Sequence, residues 1–93
     1  MKATFNNKII AESNDTISHE GTTYFPHQSI KKEYFKPSKI NSICNEKGIA
    51  QYYNIEVNGK FRDDAAWYYP EIINNAKFIE NYVAFWKGIK IEE

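Results

Sequence analysis

Ile49-Ala50-Gln51-Tyr52-Tyr53-Asn54-Ile55-Glu56-Val57-Asn58-Gly59 joins a period-two side-chain pattern to a turn dipeptide. Successive side chains of a strand point to opposite faces. Ile49, Tyr53, Ile55 and Val57 therefore share one face, with Gln51 as the exception, and Ala50, Tyr52, Asn54 and Glu56 share the other. Asn58-Gly59 follows at once, and a type I′ hairpin turn needs positive φ at both central residues, which Asn and Gly tolerate best. The returning strand runs from Lys60 towards Tyr69 and is closed by Pro70, which has no backbone N–H to donate. The segment predicts an antiparallel hairpin.

The same grammar extends in both directions. Asn6-Asn7 lies between Thr4-Phe5 and Ile9 to Glu12, and Glu20-Gly21 lies between Thr16 to His19 and Thr22 to Phe25. Pro26 ends that second hairpin, and His27-Gln28-Ser29 reads as a single turn before a strand from Ile30 to Phe35. Pro37-Ser38 reads as another break. Near the end, Asn74 or Asn75 can cap a short helix over Asn75–Asn81, because Ala76, Ile79 and Val83 fall at helical spacing. Tyr82-Val83-Ala84-Phe85-Trp86 alternates as a strand, and Lys87-Gly88 turns into Ile89-Lys90-Ile91. The expectation is a mainly β fold, α+β by strict count, made of a small bent antiparallel sheet with one short helix.

Composition bounds the class. The chain has 93 residues, enough for one domain with one core, and we read 1–93 as a single domain. Aromatic residues make up 16%, a surplus that supplies buried area economically and favours strands. Lysine and arginine number 12 and so do aspartate and glutamate, so no basic excess draws the chain to nucleic acid. The cluster Lys31, Lys32, Lys36 and Lys39 is interrupted by Glu33 and reads as a solvated face. No stretch is apolar enough to cross a bilayer, and the first residues lack a signal-peptide core. A cytoplasmic setting is expected. Cys44 is the only cysteine, which excludes an internal disulfide and a cysteine-rich zinc site.

A few residues carry chemistry. Cys44 is a nucleophile if a nearby cation stabilises its thiolate, with Lys47 the candidate cation and His27 a candidate base; otherwise it is a small buried hydrophobe. Lys47 before Gly48 is either an anion-binding donor or a solvated turn residue beside Glu46. Trp67 and Tyr69 share one strand face and Tyr68 the other, so one face is core and the opposite one can line a groove for a planar or cationic ligand. Trp86 reads as core. Tyr24 and Ser38, near chain breaks, can aim hydroxyls into the same cavity. Asp63-Asp64, adjacent on a strand, point to opposite faces and read as a polar edge rather than a proton-sharing pair.

Taken in order, Tyr24-Phe25-Pro26, Ser38, Cys44-x-x-Lys47-Gly48-x-Ala50, Tyr53, Ala65-Ala66-Trp67-x-Tyr69-Pro70 and Tyr82-Val83-Ala84-Phe85-Trp86 resemble the small, mainly bacterial domain-of-unknown-function family DUF 427 over nearly the whole chain. The resemblance implies a bent, tent-like antiparallel β fold of the Mss4 type. Some domains with that tent hold zinc with four cysteines, which this chain does not have. The family commonly has Cys-Pro-aromatic-Lys-Gly where this chain has Cys44-Asn45-Glu46-Lys47-Gly48, a change that loosens the turn and gives Lys47 an acidic neighbour. The family has also carried a nucleotidyltransferase-like label, but the chain has neither a phosphate-binding Gly-rich loop nor an acidic set spaced for divalent metal.

The favoured expectation is non-catalytic binding of a small molecule or peptide in an aromatic-walled pocket. Tyr24, Ser38, Cys44, Lys47, Trp67 and Tyr68 are the candidate ligand-binding residues, with no cofactor, metal, nucleic acid or membrane implied. Two alternatives stay open. One is an enzyme using Cys44 and Lys47 at a small-molecule site; the other is a protein-interaction module or homo-oligomer, with a monomer or weak homodimer as the expected state.

Overall fold

The computed structural model describes residues 1–93 and contains strands, turns and short 3-10 segments, with no α-helix. The strands are β1 (Lys2–Phe5), β2 (Lys8–Glu12), β3 (Ile17–His19), β4 (Thr22–Tyr24), β5 (Phe35–Cys44), β6 (Gly48–Val57), β7 (Lys60–Tyr68), β8 (Val83–Phe85) and β9 (Lys90–Glu92). They form a four-stranded sheet in the order β5-β6-β7-β8, a three-stranded sheet β2-β1-β9, and the hairpin β3-β4. All pairings are antiparallel, and the chain is mainly β.

The tight turns sit where the residues demanded them. Both central residues have positive φ at Asn6-Asn7 (50° and 64°), Glu20-Gly21 (51° and 78°), Asn58-Gly59 (51° and 81°) and Lys87-Gly88 (55° and 87°). The first three close hairpins. Lys87-Gly88 instead passes the chain from the four-stranded sheet to β9 of the other sheet. Gly48 has a different duty: at φ +123° it lies where a Cβ would come 3.0 Å from the Glu71 carbonyl oxygen. Only a residue without a side chain lets the Glu71–Ile73 segment approach, and the Ile73 N–H donates to the Lys47 carbonyl at 3.1 Å.

Two interruptions of register bend the large sheet. On β5, Ser38, Lys39 and Ile40 fall between the paired Pro37–Tyr53 and Asn41–Gln51, opposite Tyr52 alone. On β7, Asp63, Asp64 and Ala65 fall between Tyr53–Ala66 and Ile55–Arg62, opposite Asn54 alone. Extra residues on one strand bulge it and increase its twist. Asp64 takes φ 56° there, and its N–H is satisfied at 2.8 Å by the Asn54 side-chain oxygen. The two bulges meet, because the Ser38 hydroxyl donates to the Asp64 carboxylate.

Several local expectations are corrected here. Pro37-Ser38 does not break the chain; Pro37 sits on the edge strand at a bulge, where a missing N–H is harmless. The Ile30–Phe35 strand is instead a 3-10 turn at Lys32–Tyr34 leading into β5. The helix over Asn75–Asn81 is only a 3-10 turn, Lys77–Ile79, without a side-chain cap. Asn74 Oδ1 is spent on the Ala76 N–H at 2.8 Å, and Asn81 leaves the helical region at φ 65° to donate its N–H to the Tyr69 carbonyl. One turn gives too few hydrogen bonds to repay helix nucleation. Finally, Asp63 and Asp64 do not simply alternate, because they lie in the bulge.

The main core packs one face of the large sheet against β1 and β2, with Phe25, Ile10, Ile55, Val57 and Val83 fully buried. The alternation read for β6 holds at Ile55 and Val57 but reverses at its far end, where Ile49 is half exposed and Ala50 is buried. A smaller cluster of Tyr24, Ile72, Ala76, Ile79 and Ala84 packs with Trp67 and Tyr69. No helix is long and apolar enough to cross a membrane.

Candidate functional site: an aromatic pocket beside Cys44 and Lys47

The register across the large sheet builds the site. Tyr52 of β6 is directly opposite Trp67 of β7, and Trp67 is directly opposite Ala84 of β8. Phe25 and Val83 form a bridge through two 2.8 Å backbone hydrogen bonds, so Tyr24 comes beside Ala84 one position along. Large rings therefore stand on either side of a methyl group. Tyr69 continues from the end of β7, and Trp86 follows β8 with its ring edge-on to Trp67 at 5.8 Å. Tyr24, Tyr52, Trp67, Tyr69 and Trp86 enclose a depression of about 240 Å³ with an entirely aromatic wall.

The walls are held from behind. Trp86 Nε1 donates to the carbonyl oxygen of Asp64, the residue whose carboxylate takes the Ser38 hydroxyl. The Tyr52 hydroxyl is 2.9 Å from Ser42 Oγ on the neighbouring strand. Trp86 was expected in the core but is about half exposed, and its outer face lies 5.1 Å from the Lys87 ammonium. An indole in that position already accepts a cation.

Cys44 and Lys47 do not line the depression, but Cys44 acts on Tyr69 and both act on Tyr24. Burial, reinforced by the neighbouring Cys44 thiol, Tyr24 and Tyr52, pushes the Tyr69 phenol up to about 12. Burial also raises Tyr24; Lys47 pulls it the other way, while Glu20 and Cys44 add to the rise. Burial works against the charge on Lys47, yet the Glu20 carboxylate, 3.4 Å from its ammonium, wins and raises its pKa, with weaker help from Cys44 and Tyr24. Lys47 is therefore not the solvated turn residue of the plainer reading. Its side chain is only 15% exposed, and it lines a second depression of about 230 Å³ with Glu20, Asn74 and Phe78. Cys44 is half-buried with a free thiol.

Of the residues singled out by sequence, Tyr24, Cys44, Lys47 and Trp67 come together. Ser38 does not reach the cavity but braces the Asp64 bulge behind Trp86. Tyr68 points to the opposite face. There its ring stacks on Tyr53 at 5.3 Å and meets His27 edge-on at 4.6 Å. His27 Nδ1 is 3.1 Å from the Asn81 carbonyl, which can only accept, so Nδ1 carries the proton. Nε2 then accepts from the Tyr53 hydroxyl at 2.8 Å. His27 is thus engaged on the core side and is not a base for Cys44.

Tyr52, and Trp86 as a wall, are not found by the sequence reading, which puts Tyr69 on the face of Trp67 without naming it a binding residue. Counted straight back from the Val57–Lys60 pair, Tyr52 would oppose Ala65; the β7 bulge slides it opposite Trp67. Nothing in the sequence announces that bulge. No group of three or more His, Cys, Asp or Glu side chains gathers to hold a metal.

A family model described as "Domain of unknown function (DUF427)" matches residues 1–93. The chain belongs to this family. No curated protein matches it. The DUF427 description assigns no ligand or reaction, so the geometry carries the functional reading.

Proposed function

We propose that this DUF427 domain binds a small molecule or peptide, without catalysis, by taking a flat aromatic or cationic group into the depression between Tyr24, Tyr52, Trp67, Tyr69 and Trp86. The observation that supports this is the all-aromatic lining of that depression, drawn from β4, β6, β7 and the segment after β8. Its size sets the occupant. Drug-sized ligands need roughly 300–1,000 Å³, so a volume of about 240 Å³ suits one ring or one alkylated ammonium head, with the rest of the ligand outside. The Tyr69 hydroxyl, the Cys44 thiol and the Lys47 ammonium supply polar contacts beside the depression.

The test is thermal stabilisation by indole-type and quaternary-ammonium metabolites. A ligand at about 100 times its Kd adds about 2.7 kcal/mol to the native state. Binding should vanish in Trp67→Ala and persist in Tyr68→Phe, which alters the opposite face. A panel without a single stabilising compound, or equal binding by Trp67→Ala, overturns the proposal.

Two other readings have their own supports. Cys44 between Tyr69 and Lys47 favours an enzyme with a thiol nucleophile, and it requires rapid alkylation of Cys44 near neutral pH. The open edge of β5, with Ile43 exposed and opposite the exposed Ile49, favours weak self-association. Sedimentation at high concentration decides that reading: a persistent monomer removes it.

A further inference from the structure

A broad concavity lies away from the aromatic pocket, along the β2-β1-β9 sheet. It has a volume of about 560 Å³, within the roughly 300–1,000 Å³ of small-molecule sites. Lys2, Lys8, Lys60 and Lys90 line it, and Glu92 is the one carboxylate among the lining residues. These lysines come from β1, β2, β7 and β9, so no run of basic sequence foretells their meeting. Arg62 adds a charge at the rim: its guanidinium rests 5.2 Å above the Phe5 ring, beside Gly88.

None of these four lysines is in an ion pair, whereas Arg62 donates to the Phe61 carbonyl at 3.0 Å. The ion pairs of the molecule, His19–Glu20, Lys47–Glu20 and Lys77–Glu80, all lie elsewhere. Lys2 is flanked across the sheet by Glu12 and Glu92. Lys8, Lys60 and Lys90 instead have Phe5, Val57 and Thr4 as their cross-strand partners. In a chain of zero net charge this is a local segregation. Ammonium groups gathered round one concavity repel one another, and a multiply charged anion relieves that repulsion while the concavity focuses the field. Thr4 and Asn7 add side-chain hydrogen-bonding groups to the lining, while the Asn6 amide donates to the Val57 carbonyl at 2.9 Å.

We propose that this groove is an anion site for a small ligand bearing clustered phosphate charge, held by Lys8, Lys60 and Lys90 with Lys2 and Arg62 at its edges. It is independent of the aromatic pocket and needs none of its residues.

Inorganic tripolyphosphate is the probe, titrated at low ionic strength and followed by backbone amide shifts of the full chain. Shifts should concentrate at Thr4–Lys8, Lys60 and Gly88–Lys90. Each lysine lost from a charge-assisted contact should weaken binding by about tenfold. Lys8→Ser/Lys60→Ser should therefore lose nearly all affinity, whereas Lys31→Ser/Lys32→Ser, equal in charge but outside the groove, should not. These are exposed positions, and unchanged amide spectra of the free variants establish that both fold. No localised shifts, or equal weakening in both variants, would mean diffuse surface charge and overturn the site. Tighter binding of a short oligothymidylate through the same lysines would overturn the small-ligand proposal in favour of a nucleic-acid surface.

Discussion

Tyr52 and Tyr53 are neighbours on β6, and Trp67 and Tyr68 are neighbours on β7, yet each pair divides between two unlike environments. Tyr53 and Tyr68 turn towards the main core, where Phe35 and His27 pack edge-on to Tyr53 and the Tyr53 hydroxyl is consumed by His27. Tyr52 and Trp67 turn the other way, into an aromatic cluster that is only partly covered and that keeps a cavity. Aromatic residues of one kind thus serve as closed packing on one face and as an open wall on the other. What separates them is the cover: β1, β2 and the 3-10 turn at His27–Ser29 close the first face, whereas the β3-β4 hairpin and the 69–82 segment cover the second only in part and leave the aromatic depression.

Truncation should expose that contrast most strongly. Phe25 is fully buried and lies edge-on to Phe85 at 5.5 Å, so Phe25→Ala should cost about 3–5 kcal/mol in chemical denaturation. Trp67→Ala, on the open face, should cost only about 1–2 kcal/mol, part of the value for full burial, while abolishing pocket binding. Equal losses would mean that the two faces are packed alike. Hydroxyl removal gives a smaller effect of the same sense. Tyr53→Phe strands His27 Nε2 and should cost about 1 kcal/mol. Tyr52→Phe breaks only an exposed contact to Ser42 and should stay within about 0.5 kcal/mol.

Titration provides the finest comparison, because each face holds a phenol pushed up to about 12. Burial, with Tyr68 adding to it, pushes Tyr53 up to about 12, and burial with Cys44 does the same to Tyr69. Both values exceed the ordinary phenol value near 10. Between pH 10 and about 12 the unfolded chain therefore binds fewer protons than the folded one. Their contribution to stability is fully present below pH 10 and is lost as pH rises through about 12. Near-ultraviolet tyrosinate absorbance should show a late phase that shrinks by one tyrosine in Tyr53→Phe and by one in Tyr69→Phe. A ligand seated in the aromatic pocket should delay Tyr69 further and leave Tyr53 where it is.

Turn chemistry was the most legible part of this chain. Asn58-Gly59, Asn6-Asn7 and Glu20-Gly21 specify positive φ locally, and the hairpins follow from those few residues. The short helix was not legible, because the spacing of Ala76 and Ile79 suits a helix and also a single 3-10 turn packed on a cluster. The candidate site was half legible. Trp67, Tyr24, Cys44 and Lys47 were marked by residue type and Tyr69 follows Trp67 by alternation, whereas the pairing of Tyr52 with Trp67 depends on a sheet register displaced by the bulge at Asp63–Ala65.

A mainly β chain, its hairpin turns, its lone thiol and its membership in the DUF427 family are all readable from residue order. Those are local or ordered properties, set by backbone preferences, alternation and the succession of motifs. Tertiary structure alone decided which aromatic face stayed open, that Ser38 would brace a bulge rather than line a pocket, and that lysines from four strands would surround one groove. These outcomes depend on bulge position and sheet bending, which arise from the summed packing of distant strands and leave no local mark.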